Sequence, residues 1–285
     1  MTTGFLAGWQ VVRRLPEQRA RALFDRLADQ AYRRDGRGVR RLRANLAQVC
    51  PDLDPAALEE LTRAGMRSYL RYWCEAFRLP SWPVEDVVAR TRTVHEERLR
   101  EPYAAGRGVI SALPHSGNWD WAGAWAGATG MPVTTVAERL RPERLYEEFV
   151  RYRETLGIRI LPLTGGESPL PRLEEHLRGG GFVCLLADRD LSRRGIDVSL
   201  CGRPARIPVG PALLARATGA ALVPTTCAYA GRDMQITFHE EVEVGPGMEG
   251  LRRASQQVAD AFTTAIRADP EDWHMLQRVF LEERP

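Results

Sequence analysis

Residues 109–120 read VISALPHSGNWD, and this stretch decides the class of fold. Its first five residues form a short apolar run that is typical of a buried strand and ends at Pro114. A helical pattern begins at Trp119, after a Ser-Gly-Asn turn. Because the strand leads directly into a helix, the stretch predicts one half of a strand–helix–strand unit, and therefore an α/β fold.

The same alternation continues toward the C-terminus. Helical periodicity separates apolar runs of strand character, which predicts a mostly parallel central sheet flanked by helices. The predicted strands after 109–113 cover residues 133–136, 158–163, 182–187, 221–229 and 234–244. The predicted helices of this part cover residues 119–128, 142–156, 170–177, 211–218 and 251–266.

Upstream of residue 100 the pattern is helical. Residues 5–32 carry apolar side chains at helical spacing, interrupted at Pro16. Asp54 and Pro55 are the expected N-cap and first position of a second strong helix. We therefore predict one domain over residues 1–285, with a helical N-terminal part at 1–105 and an α/β core at 106–285.

Composition excludes several classes of protein. The chain has 285 residues, of which 44% are hydrophobic and 27% charged, as in ordinary globular proteins. The net charge of +3 is too small to indicate nucleic acid as a partner. No apolar run reaches transmembrane length and no secretory signal is apparent. The five cysteines show no C-x-x-C spacing, which predicts a reducing compartment and no cysteine-rich metal site.

The basic residues are all arginine and are distributed unevenly. Residues 1–50 contain eleven arginines and four acidic residues, interleaved with apolar side chains. A basic and partly apolar N-terminus favours binding to an anionic membrane surface. A solvated helix face explains the same pattern equally well.

The chemistry of the chain centres on His115 and Asp120, an H-x4-D pattern at the carboxyl end of a predicted strand. Open α/β sheets place their sites at this edge. A carboxylate beside an imidazole selects its tautomer and stabilises the imidazolium that forms on proton uptake. No G-x-S-x-G elbow is present, so the pattern favours a general base acting on a substrate hydroxyl. The alternative is that so short a pattern occurs by chance and has no catalytic function.

Further candidates lie beside other predicted strands. Asp188 and Arg189 end an apolar strand at the edge expected for His115. Arg206 lies in GRPARIP, where its guanidinium would suit a phosphate, although a plain turn explains the string as well. The residue pattern alone favours exposed ion pairs for Glu138 and Arg153.

Several strings together resemble a known family. LPHSGNWDWAG resembles the H-x4-D motif of the glycerolipid-type acyltransferases, and the resemblance extends from residues 7–17 to residues 272–277. The whole set resembles the phosphatidylinositol mannoside acyltransferases, which are related to the lipid A lauroyl/myristoyl acyltransferases. The other matching strings are AGWQVVRRLPE, TVAERLRPERLYEEFVRYRETLG, LPLTGGE, ADRDLSRRGIDV, GRPARIPVGPA and DWHMLQ.

The resemblance implies roles for individual residues. His115 matches the general base and Asp120 its motif partner, while Glu138 and Arg153 match an active-site acid and an active-site arginine. Asp188 lies where the family usually carries a glutamate near the catalytic histidine, and its side chain is one methylene shorter. The expected catalytic set is therefore His115, Asp120 and Asp188. The expected substrate-binding residues are Glu138, Arg153, Arg189 and Arg206.

The resemblance also implies a reaction. A long acyl group, palmitoyl in the simplest case, would move from acyl-CoA to the 6-hydroxyl of the mannose at the inositol 2-position of a phosphatidylinositol mono- or dimannoside. Acyl-CoA is then a substrate, and neither a cofactor nor a metal is expected. The N-terminal part would dock on the anionic cytoplasmic face of the cell membrane as a peripheral protein.

Three alternatives stay open. The first is an acyltransferase of the lipid A branch, which would use acyl carrier protein or CoA as donor and a lipid A-like or phospholipid acceptor. A non-catalytic lipid-binding protein on the same fold would keep His115 for structure only. A membrane scaffold would depend on residues 1–32.

Overall fold

The structure is a computed structural model that describes residues 9, 11–137, 143–163, 168–190 and 194–281. Its N-terminal part consists mainly of helices α1 (Glu17–Arg33), α2 (Arg37–Val49) and α3 (Pro55–Arg78). Helix α3 begins as the sequence predicts, because the Asp54 side chain accepts a hydrogen bond from the Ala57 N–H at 2.9 Å and Pro55 takes the first position.

A sheet of seven strands, within the described residues, forms the centre of the molecule. Its neighbours are parallel apart from one antiparallel pair, so the predicted mostly parallel sheet is confirmed. The strands are β1 (Thr91–Val94), β2 (Val109–Leu113), β3 (Val133–Ala137), β4 (Ile158–Pro162), β5 (Phe182–Leu186), β8 (Ala221–Ala230) and β9 (Asp233–Phe238), in the order β1-β9-β8-β2-β5-β3-β4. A separate antiparallel hairpin contains β6 (Ile196–Leu200) and β7 (Arg203–Ile207).

Helices cover both faces of the sheet. From Val84 onward, the α-helices in the described residues are α4 (Val84–Ala89), α5 (Glu97–Ala104), α6 (Trp119–Ala128), α7 (Glu143–Glu154), α8 (Leu170–Arg178), α9 (Gly210–Thr218) and α10 (Gly247–Ala268). Along β2, Ile110 and Ala112 belong to one apolar cluster, and Val109 and Leu113 belong to another. Because β2 is buried on both faces, its residues are continuously apolar rather than alternating.

The structure corrects the sequence prediction at three places. Residues 1–105 were predicted as helical, but β1 lies there and pairs in parallel with β9 at the edge of the sheet. Its sequence TRTV is short and half polar, so it lacks the apolar run of a central strand. The late strand ends at Phe238 rather than at residue 244. The hairpin of β6 and β7 lies where the sequence indicated only a turn.

None of the helices in the described ranges is long and apolar enough to cross a bilayer.

Candidate functional site

The turn that carries His115 connects the carboxyl end of β2 to the start of α6. Asn118 caps α6, because its side-chain oxygen accepts a hydrogen bond from the Trp121 N–H at 3.0 Å. Gly117 has a φ of +56°, and a Cβ at this position would lie 2.8 Å from the backbone of Cys227. A larger residue would therefore push the turn away from β8.

The His115 imidazole faces Asp188 at the end of β5. Its Nδ1 lies 2.5 Å from Oδ1 of Asp188, and the His115 backbone N–H donates to Oδ2 at 2.9 Å. The indole N–H of Trp273 also donates to Oδ2, at 2.9 Å. Asp188 is fully buried, whereas the His115 side chain is 26% exposed. Asp188 thus holds the imidazole at Nδ1, and another part of the His115 side chain is accessible to solvent.

The charge of Asp188 is stabilised by these partners. Burial by itself raises the pKa of Asp188, but the neighbouring His115 charge and the hydrogen bonds from His115 and Trp273 outweigh burial and lower this pKa below its usual value. Asp188 is therefore a carboxylate at neutral pH. Since a carboxylate only accepts, Nδ1 of His115 carries the proton and Nε2 is left as the basic nitrogen.

Asp120 has different partners from those that the sequence predicted. The turn was expected to bring its carboxylate to His115, but it accepts hydrogen bonds from the Tyr72 hydroxyl at 2.9 Å and from Nε of Arg153 at 2.8 Å. The reason is geometric, because Asp120 lies in the first turn of α6 and is directed toward α3 and α7. Asp188 thus takes the position beside the imidazole that we expected Asp120 to share.

The pair of Asp120 and Arg153 is buried. Their side chains are 4% and 19% exposed. Burial lowers the pKa of Arg153, but the charge and hydrogen bond of Asp120 and the nearby tyrosines together outweigh burial and raise this pKa above its usual value. Burial and the nearby Asp120 also raise the pKa of Tyr72 well above 10. Arg153 stays cationic and Tyr72 stays a neutral donor, so the cluster orients Asp120 rigidly.

His115 opens into a cleft of about 290 Å³. Arg153 and Arg189 line it together with aromatic and aliphatic side chains of α3 and α7. A narrow apolar slot adjoins the cleft and runs between α6 and the sheet. The two cavities share Trp119, Val136, Arg153 and Leu186 as lining residues. A ligand with a polar head and an apolar tail would fit across them.

Two predicted site residues, Glu138 and Arg206, are not among the described residues of the cleft. Glu138 lies outside the described residues. Arg206 is on β7, where its guanidinium forms a two-bond pair with Asp197 at 2.6 and 3.0 Å. In the described part of the chain it is not among the residues that line the His115 cleft. The structure therefore brings together His115, Asp188, Arg153 and Arg189, and it places Arg206 on a partly exposed hairpin.

Sequence reasoning missed Trp273 and Tyr72. Trp273 lies in the string DWHMLQ, so the resemblance marked its neighbourhood without singling out its indole. Tyr72 is next to Trp73, which belongs to the apolar stripe of α3, and nothing in the spacing indicated its contact with Asp120. His274 is buried, and its Nε2 lies 2.9 Å from the Ser68 hydroxyl. Within the described ranges, no group of three or more His, Cys, Asp or Glu side chains has the arrangement of a metal site.

Comparisons with known proteins show the family of the chain. The family model of bacterial lipid A biosynthesis acyltransferases matches residues 3–282. A phosphatidylinositol mannoside acyltransferase of Mycolicibacterium smegmatis is 44% identical over 275 residues, covering 96% of this chain and 89% of its own length. A protein of the same name from Mycobacterium tuberculosis H37Rv is 45% identical over 283 residues, covering 98% of this chain and 88% of its own.

Proposed function

The chain belongs to the bacterial lipid A biosynthesis acyltransferase family, and from this premise we propose that it acylates a phosphatidylinositol mannoside. The donor is a long-chain acyl-CoA, palmitoyl-CoA in the simplest case. The acceptor is the 6-hydroxyl of the mannose at the inositol 2-position of the mono- or dimannoside. The observation that carries the proposal is the His115 imidazole held on buried Asp188 in a cleft that adjoins an apolar slot, in a chain 44–45% identical to two enzymes of that name.

His115 acts as the general base in this proposal. Nε2 removes the proton of the mannose hydroxyl while the hydroxyl oxygen forms a bond to the thioester carbonyl carbon. Asp188 stabilises the imidazolium that results, because its carboxylate accepts from Nδ1 at 2.5 Å. The carbon–sulfur bond of the tetrahedral intermediate then breaks, and the CoA thiolate leaves with the proton from Nε2. Atoms and charge balance without a cofactor or a metal ion.

The lining of the two cavities supports the substrate class. An acyl chain would lie in the apolar slot, which is lined by side chains such as Leu99, Trp125, Phe182, Ile236 and Phe238. Arg189 and Arg153 line the cleft, where cationic groups suit phosphate oxygens and a developing oxyanion. Glu138 is proposed as a contact to the acceptor on the resemblance alone. Arg206 would have to leave Asp197 to bind a phosphate.

The N-terminal part, residues 1–105, is proposed as the membrane-facing side. On α1, Leu23 and Leu27 are 40% and 41% exposed, and arginines such as Arg19 and Arg26 lie near them in sequence. Exposed leucines next to arginines suit an anionic lipid surface. The enzyme would then work as a peripheral protein on the cytoplasmic face of the membrane, where both lipid substrates are accessible.

The test is transfer of radiolabelled palmitoyl-CoA to purified phosphatidylinositol dimannoside, comparing wild type with His115→Ala. Loss of a general base lowers the rate by about 10²–10⁴-fold. His95→Asn is the matched control, because in the described part of the chain His95 is half exposed and lines neither cavity. Its φ of +59° is one that asparagine tolerates. Transfer that persists in His115→Ala would contradict the proposed base and favour a structural role for this histidine.

The same assay separates the alternatives. Acyl carrier protein as donor, and a lipid A-like disaccharide as acceptor, are offered in parallel reactions because the matching family model is named for lipid A biosynthesis. Activity with these substrates and none with phosphatidylinositol dimannoside would overturn the proposed acceptor. Binding of the glycolipid without any transfer would favour a lipid-binding protein.

A further inference from the structure

Residues 272–274, here called the C-terminal strap, lie across the turn that carries His115. The Gly117 N–H donates to the Asp272 carbonyl at 3.0 Å, and the His274 N–H donates to the His115 carbonyl at 2.7 Å. Between them, Trp273 and Ser116 form an antiparallel bridge. A segment more than 150 residues away in sequence therefore holds the backbone of the catalytic turn.

The strap also reaches the side chain that holds the imidazole. The Trp273 indole is fully buried, and its N–H donates to Oδ2 of Asp188 at 2.9 Å. The same oxygen accepts the His115 backbone N–H at 2.9 Å. Two donors thus occupy Oδ2, and Oδ1 is the oxygen that faces Nδ1 of His115.

An indole suits this position better than any other neutral side chain. It offers one N–H donor and no acceptor, so it cannot compete with Asp188 for the imidazole proton. Its ring packs against Phe280 with the centroids 6.0 Å apart, which limits its rotation. Because Asp188 has no exposed surface, water has no direct access to replace the indole as a donor.

We propose that Trp273 is a positioning residue for acyl transfer: its indole N–H fixes Oδ2 of Asp188 so that Oδ1 holds the Nδ1–H tautomer of His115 and directs Nε2 into the cleft. The inference rests on the proposed role of His115 as the base. Trp273 acts through Asp188 and touches neither cavity among the described lining residues. Within the described residues, the charged and titratable groups around His115 include Asp188, His274, Arg153 and Arg189.

Trp273→Phe tests the proposal because it removes the N–H and keeps an aromatic ring. A hydrogen bond to a charged group corresponds to about 10- to 100-fold in rate, so kcat should fall by that factor while KM for acyl-CoA changes little. The acidic limb of the kcat/KM profile should move to higher pH, since a carboxylate that has lost one donor holds the imidazolium more tightly. Trp273→His, which restores a ring N–H, should recover part of the rate.

Trp121→Phe is the matched control. Trp121 is also fully buried, and its indole N–H donates to the Thr91 hydroxyl at 2.9 Å, away from both cavities. This variant should lose a similar amount of stability and keep the wild-type pH profile. If Trp273→Phe and Trp121→Phe show the same kcat and the same acidic limb, Trp273 is only a packing residue and the proposal is overturned.

A measurement without substrate separates this inference from the proposed function. In the wild-type protein the Nδ1 proton of His115 should give a far-downfield NMR signal that His115→Ala abolishes. Trp273→Phe should shift that signal, and Trp121→Phe should leave it unchanged. In wild type the assigned indole proton of Trp273 should titrate with the same midpoint as the His115 ring, which requires no variant to fold. An indole signal that ignores this titration would overturn the proposal even if acyl transfer is confirmed.

Discussion

Two buried carboxylates, Asp188 and Asp120, lie on different sides of the turn before α6 and have different partners. Asp188 accepts from an imidazole, a backbone N–H and an indole. Asp120 accepts from the guanidinium of Arg153 and the hydroxyl of Tyr72. An imidazole nitrogen can accept or donate a proton, whereas a guanidinium only donates. The neighbour therefore separates the proposed role of Asp188 in proton transfer from a structural role of Asp120.

The largest expected effect comes from removing the charge of Asp188. Asp188→Asn keeps the size of the side chain but offers Nδ1 of His115 no carboxylate and allows the wrong tautomer. We expect kcat to fall by about 10²–10⁴-fold, the range for losing general-base function. The measurement is acyl transfer under saturating substrate, with thermal unfolding as the check of the fold. A variant with kcat within threefold of wild type would remove Asp188 from the mechanism.

Asp120→Asn should act mainly on stability. It leaves Arg153 buried without its countercharge, and breaking a buried ion pair by removing one partner costs about 3–5 kcal/mol. The free energy of unfolding in urea measures the loss. Asp197→Asn is the matched control, because the pair of Asp197 and Arg206 is exposed and should contribute much less to stability than a buried pair. Equal losses in the two variants would contradict the difference between buried and exposed pairs.

A third buried carboxylate, Asp272, extends the comparison because it accepts hydrogen bonds from two neutral donors. It accepts from the Ser68 hydroxyl at 2.5 Å and the Tyr229 N–H at 2.7 Å. Burial raises the pKa of Asp272 to about 6. The folded protein therefore binds a proton that the unfolded chain, with an ordinary value of 3.8, has released. The stability that this proton contributes is lost as the pH rises through about 6.

The pKa of His274 is shifted in the opposite direction, so its effect on the pH dependence of stability has the opposite sign. Burial, together with the charge of His115, lowers the pKa of His274 to about 3 from an ordinary 6.5. The unfolded chain therefore takes up this proton first, and stability falls as the pH drops below 6.5. Each group changes the free energy of unfolding by up to about 1.4 kcal/mol per pH unit, so between pH 6 and pH 5 the two largely cancel.

Single substitutions should separate the two contributions. Asp272→Asn leaves His274 unopposed, so the loss of stability between pH 6.5 and pH 5 should become steeper than in wild type. His274→Asn leaves Asp272 unopposed, so stability should rise over the same interval. Urea unfolding at both pH values measures each slope. Variants whose stabilities change in parallel with wild type would show that these two groups do not titrate as their burial implies.

Much of the fold follows from patterns that are local in sequence. The run VISAL, the Asn118 cap and the helix from Trp119 to Ala128 are stretches in which apolar burial and capping agree with the final structure. The strand β1 could not be predicted in the same way, because TRTV is stabilised as a strand by its parallel partner β9, more than 130 residues later. The hairpin of β6 and β7 similarly depends on packing of Ile196, Val198 and Ala205 against the core.

The candidate site likewise combines features that the sequence predicts with features that depend on tertiary contacts. His115 and Asp188 were both predicted at the carboxyl edge of the sheet, since parallel strands end at one edge. The resemblance placed Asp188 near His115. The partners of Asp120 were not predictable, because side-chain direction in the first turn of α6 depends on the neighbouring side chains of α3 and α7. Arg206 was a candidate from its residue type alone, and the structure pairs it with Asp197 on the hairpin.

By itself the sequence determined the α/β class, the mostly parallel sheet and the family, because hydrophobic periodicity, caps and ordered motifs are properties of neighbouring residues. Only the tertiary structure decided which carboxylate faces the imidazole and which faces an arginine. It also brought Trp273 to Asp188 across 85 residues of chain. Such contacts depend on the relative placement of distant elements. A hydrogen bond forms only when donor and acceptor lie about 3 Å apart, and the spacing of residues in the sequence does not specify such a distance.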